Sequence, residues 1–186
     1  VAADLGHSEA YNHRFWKKFR KAVKEANEDA VILAEHYGNP SAWLKGQEWD
    51  SIMNYDAFME PVSWFLTGME KHSDRAEPEK FGDGELFFNT MRYNMAKLPE
   101  NALDAAMNQL SNHDHSRFLT RTNRRAGRMK DGFDDAGIGI DYGLFRLAGM
   151  LLFTWPGAPT LFYGDEVGVY GWTEPDCRRP YPWGKE

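Results

Sequence analysis

The stretch Ala30-Val31-Ile32-Leu33-Ala34-Glu35-His36-Tyr37-Gly38 begins as an unbroken apolar run of strand length and ends on a carboxylate. Its β-branched character predicts a strand over 30–34, buried on both faces as in a parallel sheet covered by helices. Ahead of it, Tyr11, Phe15, Phe19, Val23 and Ala26 recur at spacings of three and four, with Lys17, Lys18, Lys21 and Lys24 on the other side. That pattern predicts an amphipathic helix over 8–27 with Ser8 as its N-cap. The unit then repeats. A short strand over 51–55 is followed by a helix that opens at Pro61 and turns Val62, Phe65, Leu66 and Met69 inward. A polar linker over 74–84 separates it from helical spacing over 85–97, through Phe87, Met91, Asn94 and Met95, and from a third strand over 106–110. An apolar helix over 141–154, ended by Pro156-Gly157, leads to a fourth strand over 160–163.

Strands that alternate with helices demand crossover connections and a parallel sheet, either open and doubly wound or closed into a barrel. No glycine-rich phosphate loop follows any of the strands, and Gly137-Ile138-Gly139 lacks the rest of a dinucleotide fingerprint. The α/β barrel therefore stands above a nucleotide-binding sheet. Four units make half of a (β/α)8 barrel, whose first and last strands would be buried-type edges without partners, so the chain reads as incomplete as a folding unit.

The 186 residues, 42% hydrophobic and 15% aromatic, suffice for one sizeable core. A formal net charge of -6 and a pI near 5.5 argue against a nucleic-acid partner. The local exception is Arg117, Arg121, Arg124, Arg125, Arg128 and Lys130, which Asp131, Asp134 and Asp135 follow at once; this reads as a solvated, partly self-paired loop. The lone Cys177 excludes an internal disulfide framework and is compatible with a reducing, cytoplasmic compartment. No membrane span is expected, because the most apolar segment, 144–155, contains Arg146 and is too short. The lack of a leader carries little weight in a chain without an initiating Met.

Glu35, Asp56, Asp114, Asp165 and Glu166 stand at or just past strand ends, where parallel barrels place their chemistry. A pair of carboxyl groups facing one cleft is the minimal kit for acetal hydrolysis: one protonates the leaving oxygen while an ionised partner supports the oxocarbenium-like centre. Glu35, directly after an apolar run, suits the proton donor; a strand-end carboxylate paired with an Arg is the structural alternative. Asp114, with His113, His115 and Arg117 near it in sequence, suits the ionised partner or a buried salt-bridge network. Tyr37, Trp43, Tyr55, Trp172 and Trp183 are candidates for stacking on sugar rings, against ordinary packing, whereas Trp16 and Trp64 read as helix packing residues. A metal-dependent barrel hydrolase is the rival chemistry, because His113 and His115 at i, i+2 of an extended segment would share a face.

These residues together resemble the second half of the catalytic barrel in the alpha-amylase family of glycoside hydrolases, in particular its neopullulanase and cyclomaltodextrinase-like branch. The carriers are Ala34-Glu35, Met53-Asn54-Tyr55, Ser111-Asn112-His113-Asp114 and Gly157-Ala158-Pro159-Thr160-Leu161-Phe162-Tyr163-Gly164-Asp165-Glu166, with Asp176-Cys177-Arg178-Arg179-Pro180 and Pro182-Trp183 behind them. The resemblance implies that residues 1–186 form a partial (β/α)8 domain, strands five to eight, starting just after the fourth strand. It implies a retaining mechanism on α-1,4-glucans such as starch, maltooligosaccharides and cyclodextrins. Glu35 would be general acid and base, Asp114 the carboxylate that orients the sugar, and His113 a donor to it. Asn112, Tyr37, Asp4 and Arg179 would complete the substrate contacts. The nucleophilic aspartate would be the residue before Val1, leaving this chain inactive alone and its partner the missing barrel half or a second copy. Transglycosylation or isomerisation would use the same carboxylates, and a glucan-binding module would be the non-catalytic descendant. Calcium is compatible with the family, but the matched motifs assign it no site and no other cofactor is expected.

Overall fold

The computed structural model describes residues 2–128 and 135–185. Val1, Lys130, Asp131 and Asp134, which figure in the expectations above, lie outside the described residues. Helix α1, Glu9–Ala26, starts at Ser8, whose hydroxyl accepts from the Tyr11 N–H. Strand β1, Leu33–Ala34, follows, then β2, Ser51–Ile52, and a π-helical turn, Tyr55–Met59, that runs into α2, Glu60–Thr67. Helices α3, Gly84–Met95, and α4, Glu100–Asp104, precede β3, Met107–Gln109. A short α5, Phe118–Arg121, and a long α6, Tyr142–Thr154, capped by Asp141, lead to β4, Ala158–Thr160.

Among the described residues the four strands pair in parallel. β1 pairs with β2 and β3 with β4, and a single parallel bridge from Met53 to Met107 joins the two pairs. The Asn54 amide donates to Asn108 Oδ1 at 2.7 Å across that bridge, and Asn54 N–H donates to Met107 O at 2.9 Å. The four strands thus stand side by side in chain order, with helical crossovers of the length that parallel neighbours require. Gly157 permits the β3–β4 approach: its φ is +128°, and a Cβ there would lie 2.5 Å from Asn108 Nδ2.

One apolar cluster, around Ile32, Ala34, Trp43, Trp49 and Ile52, lies between α1, α4 and the first two strands; a second, around Phe58, Val62, Phe87, Met91, Phe118 and Leu152, joins α2, α3 and α6. Burial on β1 alternates instead of covering both faces. Ile32 and Ala34 are buried, while Val31 is 66% and Leu33 40% exposed, because nothing among the described residues packs on that side. On α1 the buried stripe runs through Asn12 and Trp16 rather than Tyr11, Phe15 and Phe19. Trp16 donates to Ala2 O at 2.7 Å and meets Trp49 edge-on, which rotates the helix away from the simpler apolar count. The fourth strand begins at Ala158, two residues earlier than expected, because its register with Met107 starts there.

The basic run is not one solvated loop. Arg117 and Arg121 are fully buried. Arg117 donates from Nε to Cys177 O at 2.8 Å and from Nη1 to Tyr163 O at 2.6 Å and Asp165 Oδ1 at 2.9 Å, with its guanidinium over the Phe162 ring. Arg121 donates to Lys71 O and Leu110 O. These two guanidinium groups act as rivets that satisfy loop carbonyls lacking strand or helix partners. Asp165 is therefore structural: burial pushes its carboxyl up to about 6 even though Arg117 opposes the shift. Arg124, Arg125 and Arg128 are exposed as expected, but Arg128 pairs with Asp74 of another segment rather than within the run. No described helix is long and apolar enough to cross a membrane.

Candidate active site

Glu35 leaves the end of β1 and Asp114 the turn after β3, and both reach one point. His113 Nε2 lies 3.4 Å from Glu35 Oε1 and 3.6 Å from Asp114 Oδ1, and one ligand atom from each of the three side chains lies within 4.8 Å of the others. All three are partly exposed, so the cluster faces solvent rather than a sealed core. Tyr37, two residues past Glu35, stacks on Tyr55 with ring centroids 4.4 Å apart and an interplanar angle of 16°. Burial raises the pKa of both phenols, and the charges of Glu35 and Asp114 add to it, as expected for hydroxyls close to both carboxylates. A groove of about 360 Å³ runs from Glu35 along Leu33 and Trp49 to Asp4 and Leu5, where Asp4 accepts from the Gly6 N–H.

Asn112 occupies a different place from the one expected. It is 2% exposed, and its Oδ1 accepts from the Asp114 N–H at 3.0 Å and the His115 N–H at 3.0 Å, and lies 2.7 Å from His115 Nδ1. Its amide nitrogen donates to the Tyr55 hydroxyl at 3.2 Å. With both ends committed inside the protein, Asn112 shapes the turn instead of touching a ligand. Arg179 also stands apart: it forms a two-point pair with Asp176 and lies over the Tyr170 ring. The guanidinium beside Asp114 is that of Arg178, at 3.7 Å, which donates to His113 O at 2.9 Å and pairs with Glu174.

His113 and His115 do not share a face, because the segment is a turn rather than a strand. His115 is fully buried, bonded to Asn112 and packed on the His72 ring at 4.4 Å, so the two-histidine metal pair is not assembled and Asp114 has neither His115 nor Arg117 beside it. The Glu35–His113–Asp114 trio presents an imidazole, which suits calcium poorly. At Glu70, His72 and Asp74 the carboxylates already accept from N–H groups and from Arg128, so they do not fit it either. Of the aromatic candidates, Trp43, Tyr55 and Trp172 are buried in packing, leaving Tyr37 and Trp183 exposed.

Burial holds His115 neutral, pushing its ionisation down to about 2, with His72, Arg121 and Lys71 adding to the effect. An unfolded histidine ionises near 6.5, so between these values the unfolded chain binds a proton that the folded chain refuses. The expected outcome is full stability above pH ~6.5 and a progressive loss below it. Denaturant titrations from pH 7.5 to 4.5 check this, and His115→Gln should flatten the profile over that window. Glu70 adds a separate loss at lower pH. Burial raises its pKa, yet hydrogen bonds from His72 and from the His72 and Asp74 N–H groups outweigh this and hold it at about 2.

The model of the family described as "Alpha amylase, catalytic domain" matches residues 5–182. The chain is 38% identical to neopullulanase 2 of Thermoactinomyces vulgaris over 92% of its own length and 25% of that protein, and 35% identical to a cyclomaltodextrinase of Thermoanaerobacter pseudethanolicus over 94% and 26%. Among solved structures it superposes on the ligand-free cyclic alpha-maltosyl-(1-->6)-maltose hydrolase of Arthrobacter globiformis with a TM-score of 0.70 at 31% identity, covering 92% of this chain and 33% of that one. The chain thus spans about a quarter of the length of these curated relatives. Four parallel strands whose ends bring Glu35, His113 and Asp114 together, under a family match over nearly the whole length, lead to one conclusion: the chain belongs to the alpha-amylase catalytic-domain family.

Proposed function

We propose that this chain is the strand-five-to-eight half of an alpha-amylase-type (β/α)8 barrel and carries two of the three carboxylates of a retaining glycosidase acting on α-1,4-glucans. The supporting observation is the convergence of Glu35, His113 and Asp114 within 4.8 Å at the ends of β1 and β3. Glu35 protonates the glycosidic oxygen as the bond breaks and later takes a proton from the attacking water. Asp114 and His113 hold sugar hydroxyls in the orientation that the distorted ring needs, and Tyr37 offers its exposed face to a pyranose. Asp4, down the groove from Glu35, suits the acceptor side. The names of the relatives, neopullulanase and cyclomaltodextrinase, support maltooligosaccharides, cyclodextrins and related glucans as substrates, with hydrolysis ahead of transfer to a second sugar.

A retaining pair sits roughly 5 Å apart, and by resemblance the nucleophile belongs to the fourth strand of the barrel. Its completion comes from the other barrel half. The exposed apolar residues of the outer strands and of α6, Val31, Leu33, Leu161, Tyr163, Leu147, Met150 and Phe153, support such a cover. The test is complementation. The 186-residue chain alone should leave maltooligosaccharides uncut, and adding the amino-terminal barrel half should produce cleavage. No gain would count against the proposal, and cleavage by the chain alone would move the nucleophile's role to Asp114, the carboxylate already close to Glu35.

A further inference from the structure

We infer that Asp56 is a positioning residue that holds the loop over 35–38 in its working shape, an inference that rests on the glycosidase reading above. Asp56 is a strand-end carboxylate that does not join the Glu35 cluster; its Oδ2 instead accepts from the Gly38 N–H at 3.0 Å. Two consecutive residues of the π-helical turn after β2 thereby grip two consecutive residues of the loop after β1: Tyr55 lies against Tyr37 at 4.4 Å, and Asp56 holds Gly38.

The grip is anchored and the loop has no room to sink. Asn94 of α3 donates to Asp56 O at 3.0 Å, and Asn54 accepts from the Ala57 N–H, so Asp56 moves with the body of the fold. The pocket beneath the loop, lined by His36, Gly38, Asn54, Asp56 and Asn94 among others, measures about 10 Å³, room for one water at most. Lifting is the open direction, and Gly38 makes it available. Its φ of +82° reverses the chain directly after Tyr37, and no heavy atom lies within 4 Å of where a Cβ would stand. A charge-assisted hydrogen bond at that hinge keeps Tyr37 on Tyr55 and, two residues back, Glu35 turned to His113 and Asp114.

The experiment uses the complete enzyme that contains this chain, with Asp56→Ala and Asp56→Asn in wild-type and Tyr37→Ala backgrounds. Asp56→Ala should lower kcat/KM on maltooligosaccharides about tenfold, since slight misplacement of an acid and a binding ring costs up to about a hundredfold. Asp56→Asn, which keeps an acceptor oxygen, should stay within about twofold, and in the Tyr37→Ala background Asp56→Ala should cost less than about twofold, because coupled residues are not additive. Amide exchange over 35–40 should speed up in Asp56→Ala by about fivefold or more, as expected for local opening. Unchanged exchange, or an equal kinetic loss in both backgrounds, overturns the inference. A complete enzyme that leaves α-glucans uncut overturns the glycosidase reading instead, and the exchange comparison still decides the role of Asp56.

Discussion

Glu35→Gln in the complete enzyme is expected to lower kcat on maltooligosaccharides by about 10²–10⁴-fold, the range that a lost general acid produces. Glutamine keeps the shape of the side chain and a hydrogen-bonding oxygen toward His113, 3.4 Å away, but has no proton to give. KM should change by less than about threefold, because the ground-state contacts proposed for Asp114, His113 and Tyr37 are untouched. The loss should shrink for aryl glycosides whose leaving group needs no protonation, a signature that a folding defect cannot imitate. Steady-state kinetics on both substrate types check this. An enzyme that stays fully active as Glu35→Gln would remove Glu35 from the chemistry.

The largest stability effect is expected at Arg117. Arg117→Met should cost about 3–5 kcal/mol in denaturant unfolding at pH 7, the usual penalty for deleting one partner of a buried ion pair. Losing the charge leaves Asp165 without its cation and leaves Tyr163 O and Cys177 O without this donor, with Asp165 and Cys177 buried. Asp165→Asn should be milder, since the carboxyl is already pushed toward its neutral form by burial, and adding it to Arg117→Met should recover part of the loss. A cost under about 1 kcal/mol for Arg117→Met would mean that the turn over 176–178 and the end of β4 hold together without it.

The alternation of elements was legible because each helix and strand declares itself locally. Ser8 and Asp141 cap helices that start one residue later, and Pro156-Gly157 stops α6. The stretch around Glu35 was legible for the same reason: an apolar run that ends in a carboxylate marks a strand end whatever surrounds it. Tertiary choices were hidden. On α1 the apolar count favours the face of Tyr11, Phe15 and Phe19, and the meeting of Trp16 with Trp49 turns the neighbouring face, with Asn12, inward. Adjacent Arg178 and Arg179 are chemically equal, yet the turn Asp176–Arg178 sends one to Asp114 and folds the other back on Asp176. In Asn112 nothing in the sequence separates a buried amide from a sugar ligand, because its partners are backbone groups, the ring of His115 and a phenol 57 positions away. The buried Arg117 and Arg121 escaped notice because a run of cations reads as surface until the carbonyls they serve are known.

The amide of Asn112 has a consequence for how such a site can change over generations. Its oxygen fixes the turn that bears Asp114, while its nitrogen steadies the phenol beneath Tyr37, so any replacement there disturbs both walls of the proposed cleft together. Drift toward a new ligand must then work through the residues that crown those walls, with position 112 frozen beneath them like a keystone.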